Sequence, residues 1–198
     1  MNGSWRRISV VLVLFGVLFV ASCEHGVVPA PDALTGPAQA AVVEGVDGEL
    51  YTLVEETLPE DLPLLSVSQV IGLLGGEVHL AGHTLEVPFG AVLEPVLFTL
   101  KLRSNGYVEV DLTALTEVLG FLGRVLQVDL HRFRRPVTLE LSYARATNVT
   151  DPSRLIIVHA PGRWGYENLE PLESQVDTTR KVVRARLDHF TRYCLAVN

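Results

Sequence analysis

From Ser66 to Asn198 short runs with an apolar residue at every second position are separated by turn residues, and no other feature of the chain limits its fold so tightly. A strand turns successive side chains to opposite faces, so a period of two marks a sheet with one buried face. Val96, Phe98, Leu100 and Leu102 line one face of such a strand, with Lys101 and Arg103 on the other. Asn105-Gly106 then reads as a hairpin turn, since both residues tolerate positive φ. Val108, Val110 and Leu112 point inward on the return strand, opposite Tyr107, Glu109 and Asp111. The alternation recurs at Val78 and Leu80, at Leu85 and Val87, at Leu126, Val128 and Leu130, at Val137, Leu139, Leu141 and Tyr143, at Val183, Ala185 and Leu187, and at Tyr193, Leu195 and Val197. The continuous run Leu155–Val158 predicts a strand buried on both sides. Leu115, Val118, Leu119 and Leu122 depart from the pattern: their helical spacing predicts a short helix within residues 113–123. With roughly eight to ten strands, the expected fold is an all-β antiparallel sandwich over residues 66–198.

The N-terminal end follows a different logic. Arg6 and Arg7 precede an apolar run, Ile8 to Ala21, that is short of the ~20 residues a membrane-spanning helix needs. A short basic segment, an apolar core and small residues after it form the layout of a secretory signal over residues 1–22. Val20-Ala21-Ser22-Cys23 resembles the lipobox of bacterial lipoproteins, in which a branched aliphatic and two small residues precede a cysteine that is lipidated. The resemblance implies cleavage between Ser22 and Cys23 and acylation (palmitate-type chains) of Cys23, which would anchor the protein in a lipid bilayer. Glu24, rather than Asp, then implies transfer to the outer membrane in a diderm cell. The competing reading is an ordinary signal cut at a nearby small residue.

Residues 23–65 differ from both neighbours. Pro29, Pro31, Pro37, Pro59 and Pro63 exclude a long helix, and Ala, Gly and acids fill much of the rest, so this segment is expected to be a tether. Tyr51-Thr52-Leu53-Val54 is the exception, a candidate stray strand that docks on the domain. Net charge limits the partners. The chain carries −7, and removing residues 1–22 removes two arginines and no acid, leaving about −9. Nucleic-acid binding needs a basic footprint and is not expected. An acidic surface also gives no general electrostatic hold on anionic lipid, which leaves attachment to the leader. Cys23 and Cys194 are the only thiols, and Cys194 sits in an apolar strand pattern that predicts burial.

The order of short motifs is similar to the ZU-five domain, a β-sandwich module of ankyrins, netrin receptors, zonula occludens protein and death-domain adaptors. The resemblance rests on Gly75-Gly76-Glu77-Val78, Leu85-Glu86-Val87-Pro88-Phe89-Gly90-Ala91, Phe133 with Pro136-Val137-Thr138-Leu139, Trp164, the Leu172–Val176 stretch and His189-Phe190-Thr191 followed by Tyr193. It spans residues 66–198 and departs from the family at residues 113–123 and at Thr191, where Ser is usual. It implies an interaction or structural module, not an enzyme, with an envelope protein or polymer as partner. In some relatives the chain cuts itself between Phe and Ser. The resemblance would then make Thr191 the nucleophile at the Phe190–Thr191 bond and His189 its assistant. The alternative for these three residues is a packed strand corner.

Other candidates are weaker. His79 and His83 would meet across a turn, with His131 or His159 completing a metal site, but no cysteine or carboxylate pattern supports a ligand set, and turn histidines are the simpler reading. Arg132, Arg134 and Arg135, with Arg180, Lys181, Arg184 and Arg186, would form either a basic patch or a face salt-bridged to acids such as Glu140. Asn148-Val149-Thr150 matches a glycosylation sequon that a turn before Asp151-Pro152 explains. No cofactor is expected.

Overall fold

The computed structural model describes residues 41–59, 62, 65–119, 125–130, 132–162 and 165–198. Its strands are β1 (Val42–Glu44), β2 (Leu50–Leu53), β3 (Ser66–Ile71), β4 (Gly76–Leu80), β5 (His83–Val87), β6 (Val96–Leu102), β7 (Glu109–Leu119), β8 (Val125–Asp129), β9 (Val137–Ser142), β10 (Leu155–His159), β11 (Glu170–Pro171), β12 (Ser174–Asp177), β13 (Val182–Leu187) and β14 (Arg192–Val197). They form two antiparallel sheets packed as a β-sandwich. The smaller runs β12-β13-β9-β5-β4 and the larger β1-β2-β14-β7-β6-β3, with β10 and β8 attached to β14 and β7. Among the described residues no helix is long and apolar enough to cross a membrane.

The inner faces carry the predicted alternation. Phe98, Leu100, Leu102, Leu139, Leu141, Val183, Ala185 and Leu187 are buried in one core between the sheets. Strand β14 sits in the middle of the larger sheet. Tyr193 pairs with His159 of β10 on one edge and with Val110 of β7 on the other. Ala196 pairs with Ile156 and with Leu53 of β2, so β7 and β2 lie end to end along the same edge. Its alternate residues serve two cores. Tyr193 and Leu195 face the sandwich interior. Cys194 and Ala196 face a second apolar cluster on the outer side, with Tyr51, Leu53, Val158, Ala160 and Leu169. This explains why β10 is apolar throughout: Leu155 and Ile157 belong to the first cluster, Val158 to the second.

Three expectations need correction. Tyr51–Val54 docks on the domain as expected, within and just after β2, but residues 42–50, 55 and 56, assigned to the tether, belong to the sandwich with it. Tyr51, Leu53 and Val54 are buried, and Val54 accepts from the Val108 N–H and donates to Leu195, splicing β2 onto β7. The prolines that suggested a spacer stop at Pro37 and resume at Pro59, leaving a proline-free stretch able to pair.

The helix expected near 113–123 is a strand as far as Leu119, and residues 120–124 lie outside the described set. Val110, Asp111, Leu115 and Thr116 are paired with strands on both sides, and the rest of β7 with one. Leu115 pairs with Leu97 of β6 and Asp129 of β8, which outweighs the helical spacing of its leucines. Pairing with β6 ends at Thr116, so the β7–β8 hairpin runs past the sandwich and leaves Val128, expected inside, exposed.

The Asn105-Gly106 turn is present, but only Gly106 has positive φ (84°). Asn105 contributes its side chain instead, accepting from the Tyr107 N–H and donating to Glu109. A second turn, Pro88–Ala91, closes with an Ala91 N–H to Pro88 carbonyl bond of 3.1 Å over Gly90 at φ 76°.

Candidate functional site

The His189–Thr191 corner joins β13 to β14 at one end of the sandwich. Phe190 is wedged beside Phe133 and Phe98, with ring centroids 4.7 and 5.8 Å away. Such aromatic pairs add to the energy of area burial. The Tyr193 hydroxyl donates to the His189 carbonyl at 2.7 Å, tying the corner to the strand it starts. Burial raises that phenol well above its ordinary range. Thr191 is exposed; its hydroxyl donates to the Arg192 carbonyl at 3.5 Å, and its own carbonyl accepts from Leu112. Positive φ outside glycine occurs, among the described residues, at Ala81, Asn168 and Lys181, not at this corner. Self-cleavage would draw on backbone strain at the Phe190–Thr191 bond.

Beside the corner lies an acid–histidine pair that the sequence did not announce. His159 is buried, its Nδ1 is 2.9 Å from Glu170 Oε2, and its Nε2 has no hydrogen-bond partner among the described residues. The His189 ring stands edge-on to it at 4.8 Å. Cross-strand pairing of His159 with Tyr193 and of His159 with Glu170 sets this row. Among the described residues, no three His, Cys, Asp or Glu side chains are placed to hold a metal.

On the other side of Thr191 opens a groove of about 580 Å³, walled by Lys101, Arg103, Asp111, Phe190, Thr191 and Arg192. Its two arginines are already engaged. Arg192 is buried; Nε donates to the Ala160 carbonyl at 3.3 Å, Nη2 donates to the Gly165 carbonyl, and the guanidinium lies 5.2 Å over the Tyr166 ring. Behind it sits Glu109, fully buried, accepting from Tyr166 at 2.6 Å and from Asn105 at 2.7 Å. Arg103 and Arg192 approach its other oxygen at 3.4 and 3.5 Å. Glu109 was expected to face solvent. It faces the second apolar cluster, which covers the outer side of the larger sheet where a single-core sandwich would leave water. Burial, and then Glu109, push the Tyr166 hydroxyl far up. Burial likewise raises the Cys194 thiol well above its usual value, with Glu109 adding to the effect. A thiol held protonated and out of solvent is a poor nucleophile.

The two histidines proposed to meet across a turn do not. Ala81 (φ 50°) and Gly82 (φ 87°) form a two-residue turn that pairs Leu80 with His83, so His83 shares the core-facing side of Leu80 while His79 faces out. His79 bonds Glu77 at 2.9 Å and Thr84 at 3.0 Å on the surface. His83 is fully buried, and its Nδ1 accepts from the Ser142 N–H at 3.1 Å. A neutral imidazole has one acceptor nitrogen, so Nε2 carries the proton. Arg145 Nη2, 3.4 Å away, is a neighbouring charge there and not a donor to the ring. Arg145 instead reaches Glu56 at 3.1 Å and the Ala81 carbonyl at 2.7 Å. Burial, with Arg145 second, pushes the His83 pKa down to about 3, and burial raises that of Glu56.

The two basic groups are likewise not one patch. Arg180 and Arg184 pair with Glu140 at 3.0 and 2.6 Å on the smaller sheet, while Arg132, Arg134 and Arg135 lie in the loop before β9. Ser22, Cys23, His131 and Trp164 lie outside the described residues. No protein-family model matches the chain, and no curated protein matches it.

Proposed function

We propose that the chain is a membrane-anchored lipoprotein of the bacterial cell envelope, acylated on Cys23 and presenting a ZU-five-like β-sandwich as an interaction or structural module. The observation that carries the reading is Val20-Ala21-Ser22-Cys23 at the end of an apolar run that opens behind two arginines. The state of the second cysteine supports it: with Cys194 buried in the outer cluster, Cys23 is the thiol left for modification. One acyl chain binds a bilayer only marginally, so stable anchoring needs more than one. The module reading is supported by the packed corner at Phe190 and by buried charges that are matched within the fold. Recognition would run over loops and the outer edge of β3, which pairs with β6 alone among the described strands, as a template for an added strand. Cys23→Ser tests the anchor. The variant is expected to move from the membrane to the soluble fraction and to lose incorporation of a labelled palmitate analogue; retention in the membrane fraction with no label on the parent chain would end this reading.

A further inference from the structure

The end of the sandwich that holds the Phe190 corner also carries an unusual concentration of exposed apolar side chains. Leu74 is 83% exposed, Phe89 57% and Leu93 54%, with Leu73 and Val70 beside them. Val70 is on β3, and the others stand on two turns, 72–75 and 88–91, and on the chain just after the second. These turns are one unit. The Gly90 N–H donates to the Leu73 carbonyl at 2.8 Å, and a Cβ on Gly75 would lie 2.9 Å from the Phe89 nitrogen. The loop before β9 joins them, because Arg134 N–H donates to the Ala91 carbonyl at 3.0 Å and Arg135 Nε lies 3.8 Å from where a Gly90 Cβ would be. Arg132, Arg134 and Arg135 are all exposed there. Against them these loops bear one acid, Glu94, and the neighbouring turn bears Asp188.

We infer that this end of the domain inserts into the headgroup–acyl boundary of an anionic phospholipid bilayer, with Leu73, Leu74, Phe89 and Leu93 entering the apolar layer and Arg132, Arg134 and Arg135 meeting lipid phosphates. Exposed apolar patches rimmed by polar groups mark interaction surfaces. These side chains project from adjoining turns and loops at one end of the domain, a form that suits a fluid layer rather than a rigid partner groove. Arginine at such a boundary keeps its head with the phosphates while its stem lies along apolar surface. The net negative charge of the chain does not forbid this. At physiological salt, charges more than ~8 Å from the surface are largely screened, and the local balance at the tips is basic. A second exposed apolar group, Val42, Val46 and Leu50, lies on the β1–β2 hairpin, where Glu44, Asp47 and Glu49 replace the arginines. The hairpin lies toward the far end of β14, since Thr52 pairs with Val197. Chain length permits the geometry: residues 24–40 separate Cys23 from the first described residue, and fully extended they reach about 60 Å. That exceeds the ~23 Å length of a strand such as β6, so an anchor at Cys23 leaves the domain free to lie with these tips down. The surface itself needs no acyl chain, and it therefore stands or falls apart from the assignment of Cys23.

The test uses residues 23–198 with Cys23→Ser, which keeps every described residue and removes the lipid. Sedimentation with mixed phosphatidylethanolamine–phosphatidylglycerol vesicles is expected to carry the protein down, and phosphatidylcholine vesicles to carry less. Combined Leu74→Asp and Phe89→Asp should weaken binding roughly a hundredfold, and Arg134→Ala with Arg135→Ala should remove the preference for phosphatidylglycerol. Unfolding midpoints should stay unchanged, because the replaced side chains are exposed. Phe89→Trp should show a blue-shifted emission, quenched by brominated lipid. Failure to bind either vesicle, or binding indifferent to Leu74→Asp and Phe89→Asp, would overturn the inference. So would a lipid-free dimer that the same pair of substitutions dissolves, because the tips would then seat a second copy of the chain.

Discussion

His83 makes the stability of the domain depend on pH in a way that can be calculated and checked. Its folded pKa is about 3, against 6.5 for a free imidazole, because burial and the Arg145 guanidinium oppose a second positive charge. Between those two values the unfolded chain binds a proton that the folded chain does not. Stability therefore rises with pH across this window: the contribution of neutral His83 is complete above about pH 6.5 and is lost as pH falls toward 3. The slope approaches about 1.4 kcal/mol per pH unit, and the loss at pH 4.5 relative to pH 7.5 is roughly 2–3 kcal/mol. Glu56 works the other way. Its folded pKa is raised, so its share of the stability is present at low pH and falls as pH climbs through the folded value. Comparison with His83→Asn isolates the histidine, since an Asn oxygen can take the place of Nδ1 in accepting the Ser142 N–H. Urea unfolding of the unlipidated chain, followed from pH 7.5 to 4.5, should give curves that converge by 2–3 kcal/mol as the wild type weakens. Parallel pH dependence in the two proteins would mean that His83 does not enter the fold as a neutral ring, and the reasoning would fail.

Three further outcomes follow from the packing. Gly75→Ala places a Cβ 2.4 Å from the Val87 carbonyl oxygen at φ 76°, whereas Gly106→Ala at φ 84° meets nothing within 4 Å. The second should cost about 1 kcal/mol and the first distinctly more, read from urea midpoints. Arg192→Met removes one of the two cations beside fully buried Glu109, leaving Arg103, Tyr166 and Asn105 in place, and should cost about 1.5–3 kcal/mol in the same assay. Intact mass under denaturing conditions should show the chain continuous through Phe190–Thr191; release of a Thr191–Asn198 fragment, abolished by Thr191→Ala, would instead establish self-cleavage.

The main core was readable because a sheet with one buried face writes its period into the chain. Every apolar residue assigned inward on β6, β9 and β13 is buried. What escaped reading has one common cause. The larger sheet is covered on both faces near β14, so the positions of Glu109 and Cys194, which alternate away from the main core, are also buried. Alternation reports which side a residue faces, not whether something covers that side. The outer cluster is completed by Tyr51 and Leu53 of β2, which the sequence marked as a candidate strand, and by the loop around Leu169, which carries no period of its own. The expected helix was lost for a different reason: Leu115 and Thr116 are paired on both sides by the neighbouring strands β6 and β8, and the spacing of apolar residues does not report such pairing. At the candidate corner the sequence singled out His189, Phe190 and Thr191, but Glu170 and His159 reach it only through strand pairing.

The placement of β14 has a consequence for how the domain is made. The segment around β2 is synthesised about 140 residues before the strand that closes against it, the separation of Val54 from Leu195, and Val54 must wait for Leu195 to complete its hydrogen bonds. Until then the middle of the larger sheet is an open slot. Pairings across such sequence distances form slowly, so a nascent chain of this kind stays without its central strand for most of its emergence. In a protein threaded through a membrane N-terminus first, that delay would keep the chain loose enough to pass and let the fold lock once β14 arrives on the far side.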